Sequence, residues 1–259
     1  MYNCGMPGAE ARPQCLPAAR PLQIKETPHM ARRTKEDAVA TRNSLLDAAE
    51  HVFYQKGVSN ASLNDIAQAA GATRGAIYWH FKDKVDLFNA MMERVTLPLE
   101  CASDECAGHN RMSPLHRLRA VIDFVLRSLE KDESVRRVFE IAMFRVEYVG
   151  ELSVVRDRHV EASLEFRRQF AAELALAAND QGVELPSSAD VAAVGLQALF
   201  DGLMQVWMLG GATFGLAETG RATVDAYLRG LGFDVSAGFD PLSAGIPWKI
   251  CQPRRNAVP

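Results

Sequence analysis

With 259 residues, 48% of them apolar and 24% charged, the chain is a globular protein long enough for one large domain or two smaller ones. Its formal net charge of −3 excludes a protein coated in positive charge, while leaving room for a local cationic patch. The five cysteines, Cys4, Cys15, Cys101, Cys106 and Cys251, form no C-x-x-C pair and no zinc-type spacing with histidine. No metal or cofactor is therefore expected, and an odd, scattered set suits a reducing cytoplasm.

Residues 1–29 hold five prolines and no apolar period, so this stretch is expected to be disordered. Met30 stands at once before a charged helix-forming run, and translation is expected to start there. The residues from 30 to 98 carry nine Arg or Lys against eight Asp or Glu, so charge alone points to no partner. Leu45, Ala49, Val52, Phe53 and Lys56 share one helical face that Gly57 closes. Ser62 opens a second helix with a capping box in which Asp65 replaces the usual Glu or Gln. That helix runs through Ile66 and Ala70 to Gly71. Thr73 then caps a short helix to about Phe81, and Asp83 caps another that Pro98 ends.

Longer amphipathic helices follow. One carries Leu115, Leu118, Val121, Ile122, Val125 and Leu129; the next carries Val135, Val138, Phe139, Ala142, Met143 and Val146. A third, with Phe166, Phe170, Leu174 and Ala177, ends near Gly182. Val191, Val194, Ala198, Leu199 and Leu203 mark a fourth, and Val224, Tyr227, Leu228 and Leu231 a fifth. No strand-like alternation is sustained, so the fold class is all-α: a three-helix helix-turn-helix domain at 30–83 and a larger helical domain at 84–232. Residues 84–97 form the connecting helix, and 233–259 are expected to be a disordered tail. No run of about 18 apolar residues occurs, so no membrane partner is expected, and the first residues lack the plan of a secretory signal.

The segments at 62–71 and 73–81, joined by a tight Gly-Ala connection, have the helix-turn-helix pattern, whose second helix enters the DNA major groove. At roughly 100° per residue, Ile77, Phe81, His80 and Ala76 fall on one side of that helix. Arg74, Gly75, Tyr78 and Trp79 fall on the other. Arg74 can form a bidentate bond to a guanine edge, and Gly75 lets the backbone approach the bases. Thr73 sits where a hydroxyl and free helix N–H groups meet a phosphate, and Tyr78, Trp79, His80 and Lys84 can hold the sugar-phosphate backbone. The other reading of Tyr78 and Trp79 is that they cover the contact with the next helix.

The run SLNDIAQAAGATRGAIYWHFKDKVDLF at 62–88 resembles the DNA-binding signature of TetR-family repressors. The match is ungapped and extends back to Arg33. MARRTKEDAVATR at 30–42, GAIYWHFKDK, and EYVGEL at 147–152 resemble the AcrR-type branch, which represses multidrug efflux pumps. The resemblance covers about 30–232. It implies base-edge or close-approach roles for Thr73, Arg74, Gly75 and Tyr78, and phosphate or sugar contacts for Ser62, Trp79, His80 and Lys84. His80 is split between a phosphate contact and a structural role.

A dimer gives two recognition helices for half-sites about 34–36 Å apart. Gly195, Ala198 and Gly202 put small residues near one helical face, which with Val224, Tyr227 and Leu228 forms a candidate homodimer interface. An ordinary contact within the chain is the alternative. Phe88, Met91, Met92, Phe124, Phe139, Met143, Phe144, Phe166, Phe170 and Phe200 fill apolar stripes that are either plain core or an adaptable ligand cavity. The resemblance implies a cavity for hydrophobic small-molecule inducers. Asp201, Glu140 and Gln205 are its candidate polar anchors, with Asp201 open to pairing with Arg145 or capping a neighbouring helix.

No G-x-S-x-G, P-loop, H-E-x-x-H or G-x-G-x-x-G occurs, so no enzyme is expected. The expected function is a repressor that binds a palindromic double-stranded DNA operator and that an inducer releases, with the helix at 84–97 as lever. A TetR-like regulator of a process other than efflux is the main alternative. A thiol sensor using Cys101 and Cys106 is another, and it requires that segment to be bent or loosened.

Overall fold

The computed structural model of the protein describes residues 35–108 and 112–236, which hold nine α-helices, one 3₁₀ turn and no strand. The expected N-terminal extension and the proposed start at Met30 lie outside them, as does the match at Arg33.

Helix α1 (Lys35–Lys56) buries Leu45, Leu46, Ala49, Val52 and Phe53, and stops where Gly57 takes φ +78°, a left-handed turn that favours glycine. After α2 (Leu63–Ala69), Gly71 at φ +64° turns the chain into α3 (Arg74–His80). In α4 (Lys84–Gly108) the first turn is secured by Asp83 Oδ1, which accepts from the Asp86 N–H at 2.8 Å. The helix continues through Pro98 to Gly108, so the expected stop at Pro98 is corrected. A proline removes one helical N–H and one bond from the ladder, and this helix is long enough to keep its course. The backbone at Cys101 and Cys106 is helical, while their thiols lie outside the described side chains.

Helix α5 (Pro114–Lys131) starts with the Ser113 cap and proline in its first turn. In α6 (Glu133–Phe144) the capping residue is Asp132. A 3₁₀ turn at Gly150–Leu152 leads into α7 (Ser153–Gln181), which Gly182 ends at φ +65°. Only the second half of α7 carries the apolar period noted in the sequence. The last two helices are α8 (Ala189–Leu209) and α9 (Leu216–Gly230).

The side chains divide into two cores. The smaller joins α1, α2 and α3 to Leu87, Phe88, Ala90, Met91 and Val95 of α4 and to Val138, Ile141 and Ala142 of α6. The larger joins α5, α7, α8 and α9. Helix α6 lies between them, because Met143 and Phe144 pack on the larger core while Val135 and Phe139 touch both. The connecting helix is therefore not the sole link between the two parts of the chain.

An antiparallel ladder sets the α5–α9 register. Arg119 Nη2 donates to Asp225 at 2.8 Å and Arg221 Nη1 to Asp123 at 2.6 Å. Further along, a Cβ at Gly220 would collide with Leu126, and Glu130 accepts from the Leu216 N–H at 3.1 Å, capping α9 from the neighbouring helix. The packed region runs past its expected end at 232. Phe233 and Val235 are buried in the larger core, and the Asp234 backbone exchanges two hydrogen bonds with Gln181.

Candidate nucleic-acid interface and sensor core

The recognition-helix geometry begins at the α2 cap. Ser62 Oγ accepts from the Asp65 N–H at 3.1 Å, and Asp65 Oδ2 accepts from the Ser62 N–H at 3.0 Å. The Ser62 hydroxyl also donates to Asp65 Oδ2 at 2.7 Å, and Lys56 Nζ to Asp65 Oδ1 at 2.9 Å. These hydrogen bonds, that from the Ser62 hydroxyl foremost, hold the Asp65 carboxyl at about 2, below its ordinary 3.8. With its hydroxyl hydrogen on Asp65, Ser62 braces α2 rather than offering a donor outward.

Thr73 caps α3, its Oγ1 accepting from the Ala76 N–H at 3.2 Å, and its hydroxyl can still donate to a phosphate. Ile77 and Phe81 are sealed into the smaller core. Thr73, Arg74 and Gly75 are exposed, as are Tyr78 at 50% and Trp79 at 72%. Trp79 is too open to be a cover for the next helix, which weighs against that alternative. The Arg74 guanidinium lies 5.8 Å from the Tyr78 ring centroid, a cation–π distance. A Cβ added to Gly75 would meet only Thr73 Oγ1, at 3.9 Å, among the described residues, so none of these requires glycine there. His80 is half-buried and stands edge-on to Trp79, centroids 4.5 Å apart.

Lys84 is placed differently from its expected role. Its ammonium donates to the carbonyls of Ser59 at 3.1 Å and Ala61 at 3.3 Å, clamping the loop before α2. Lys82, two residues earlier and exposed, presents a cation beside α3. Its place in the same basic run was the only sequence signal for it.

The expected ligand residues divide between the two cores. Phe88 and Met91 are sealed in the smaller core, against which Met92 packs, and Phe88 lies 6.0 Å from Phe53. Phe139, Met143 and Phe166 line the larger core, in which Phe170 and Phe200 are buried. Phe166 lies 4.3 Å from Phe170 and 5.7 Å from Phe200. Phe124 is half-buried on α5. Asp201 is exposed as a residue on α8, but partial burial of its carboxyl raises it above the usual carboxylate range, the His159 charge and a Gln197 hydrogen bond opposing the shift. Gln197 also donates to Ser163 Oγ at 2.7 Å, so this α7–α8 seam is polar. Arg145 lies over the Tyr54 ring at 5.1 Å, which leaves Asp201 to the seam. Glu140 is half-buried and Gln205 exposed.

The expected dimer residues also divide. Val224 and Leu228 are buried within the chain, and Gly195 sits against the Tyr227 ring of the same chain. Ala198 is exposed, and a Cβ at Gly202 would enter open space. Helix α8 is apolar on two sides: Ala192, Ala193, Leu196, Phe200, Met204 and Trp207 are buried, while Val191, Val194, Val206 and Leu209 are exposed. The residues read from the sequence as its core stripe thus include the outward face. Ala222 and Ala226 are exposed on α9. By length and composition α8 could cross a bilayer; two apolar faces account for that composition. Among the described residues no group of three or more His, Cys, Asp or Glu could hold a metal ion.

Residues 45–91 match the bacterial regulatory proteins of the tetR family, and 113–233 match the C-terminal region of MAATS-type transcriptional repressors. The chain is 36% identical to the HTH-type transcriptional regulator AcrR of Shigella flexneri over 200 residues, 77% of this chain and 93% of that protein. The crystal structure of NalD, the secondary repressor of the MexAB-OprM multidrug efflux pump in Pseudomonas aeruginosa, superposes with TM-score 0.68 at 33% identity, covering 76% of this chain and 98% of NalD. The SmeT–triclosan complex does so with TM-score 0.65 at 32% identity, over 74% of this chain and 91% of SmeT. The chain belongs to the tetR family of bacterial regulatory proteins and is a transcriptional repressor close to the multidrug efflux regulators.

Proposed function

We propose that the protein binds a palindromic operator as a homodimer in the cytoplasm, is released by hydrophobic small molecules, and controls a multidrug efflux operon. The observation that carries the DNA reading is the division of α3. Ile77 and Phe81 anchor it, while Thr73, Arg74, Gly75, Tyr78 and Trp79 stand exposed on its outward side. A single short helix reads few base pairs, so two copies are needed. The second apolar face of α8, with Ala198 and Gly202, is a surface on which a second copy would bury Val191, Val194 and Val206. The inducer site is assigned to the edge of the larger core, where Phe139, Met143 and Phe166 are only partly buried beside Phe170 and Phe200. The efflux assignment rests on what NalD represses and on the resemblance to AcrR.

The mechanism is linkage. An inducer binds more tightly to the conformation whose recognition helices are wrongly spaced, and lowers operator affinity by the ratio of its two affinities. The test is to select an operator from a random DNA pool, locate it in the genome beside its regulated genes, and measure its affinity with and without triclosan. A palindrome upstream of an efflux operon, bound by two copies and released by triclosan, is the expected result. A selected site without two-fold symmetry would overturn the dimer reading, and a site far from any transporter gene would overturn the efflux reading.

A further inference from the structure

Glu50 lies in the middle of α1 and is 4% exposed, a carboxylate buried where α1, α4 and α6 meet. Three donors from the two other helices surround it. Arg94 of α4 donates to Oε2 at 3.2 Å, Ser134 of α6 to the same oxygen at 2.8 Å, and Arg137 of α6 to Oε1 at 2.8 Å. One turn further along α1, the Tyr54 ring takes the guanidinium of Arg137 at 5.8 Å and that of Arg145 at 5.1 Å. The loop after α1 is fixed to the same place, with the Val58 N–H donating to the Arg145 carbonyl at 2.9 Å.

We propose that Glu50 is a positioning residue, a latch through which α6 and α4 set the orientation of the DNA-binding helices. The inference rests on the sensor reading above. A buried carboxylate must stay paired, because leaving it uncompensated is strongly unfavourable. Helix α1 therefore follows the three donors wherever they move. Two of the donors sit on α6, which also carries Phe139 and Met143, both packed against the larger core. Phe139 is two residues from Arg137, and Met143 two from Arg145. A ligand that displaces these two side chains moves the guanidinium groups that hold Glu50 and Tyr54. Packed elements pass between discrete arrangements rather than deforming smoothly, so a small shift of α6 becomes a reorientation of α1 and, through the smaller core, of α3.

The test uses the full chain and the Glu50→Gln variant, which keeps the shape and the Ser134 hydrogen bond and removes the charge. Three quantities are measured: triclosan affinity, the fall in operator affinity that triclosan causes, and amide hydrogen exchange of the ligand-free protein. The expected result is triclosan affinity within about twofold of the parent and a triclosan effect on the operator reduced at least about fivefold. Amides of α1 should exchange at least about tenfold faster while those of α5, α8 and α9 stay unchanged. Arg137→Gln should reproduce all three, with the positive charge of the pair removed instead of the negative one. A triclosan effect equal to the parent's in both variants, or unaltered α1 exchange, overturns the latch. A parent protein whose operator affinity ignores triclosan refutes the sensor reading instead, and the exchange measurement still judges whether Glu50 holds α1.

Discussion

The Tyr227 phenol crosses directly over Gly195 and donates its hydroxyl hydrogen to the Ala192 carbonyl at 2.8 Å. A Cβ at position 195 would run into that ring, so α9 can dock on α8 only because residue 195 has no side chain. Gly195→Ala should destabilise the protein by about 1–3 kcal/mol through overpacking. In Gly195→Ala/Tyr227→Phe the nearest clashing atom is absent, so the double variant should lose less than the sum of the single variants. Thermal unfolding of the four proteins checks this, and strictly additive losses would refute the contact.

Gly75 gives the opposite expectation. Gly75→Ala should hold or raise stability, by up to about 1 kcal/mol for relieving a helical glycine. Its operator affinity should fall about tenfold, the scale of one spoiled base contact. Loss of stability with unchanged DNA binding would place the need for glycine inside the chain.

Arg74→Ala should cost about 1–3 kcal/mol at the operator and relax the sequence preference at one position. Repeating the operator selection with the variant reads both effects. An unchanged preference would remove Arg74 from base reading.

The two lysines that flank the α3–α4 junction should separate. Lys82→Ala should flatten the slope of log affinity against log salt by about one and leave the melting temperature alone. Lys84→Ala should lower stability by about 1 kcal/mol, because it removes the bonds to the Ser59 and Ala61 carbonyls. If Lys84→Ala melts like the parent, the clamp is not needed.

Asp65 supplies a pH signature. Its carboxyl is held at about 2 in the folded chain against an ordinary 3.8. A depressed folded value gives stability that is complete above the ordinary value and disappears as pH falls towards the folded one. Asp65→Asn should therefore melt below the parent at neutral pH, and the gap should close between about pH 4 and 2. A gap that stays constant across that window would show that the charge is not what holds the cap.

The α3 division was legible because its two sides differ in kind: Ile77 and Phe81 against Arg74, Gly75, Tyr78 and Trp79. The caps at Ser62, Thr73 and Asp83 were legible for a similar reason, since each is a local hydrogen bond written in adjacent residues. The orientation of α8 was not. A helix apolar on two sides gives no single moment, and only packing reveals that Leu196 and Phe200 face inward while Val191 and Val194 face outward. The sequence also placed Phe88 and Met91 with the ligand residues, because chain order says nothing about which core a shared helix completes. Glu50 was missed as well. Its three partners come from residues 94, 134 and 137, far away along the chain.

That shared core limits how the protein can be re-engineered. Val138, Ile141 and Ala142 of α6 close the same cluster as Ile66, Ile77 and Phe81. A fragment cut at residue 83 would expose that cluster to water and should give little helical circular dichroism on its own. A chimera that grafts this DNA specificity onto another sensor must therefore carry α4 and the inward face of α6 as well. The heritable unit of recognition is discontinuous in the gene, so recombination at the apparent domain boundary would yield insoluble hybrids rather than regulators with exchanged operators.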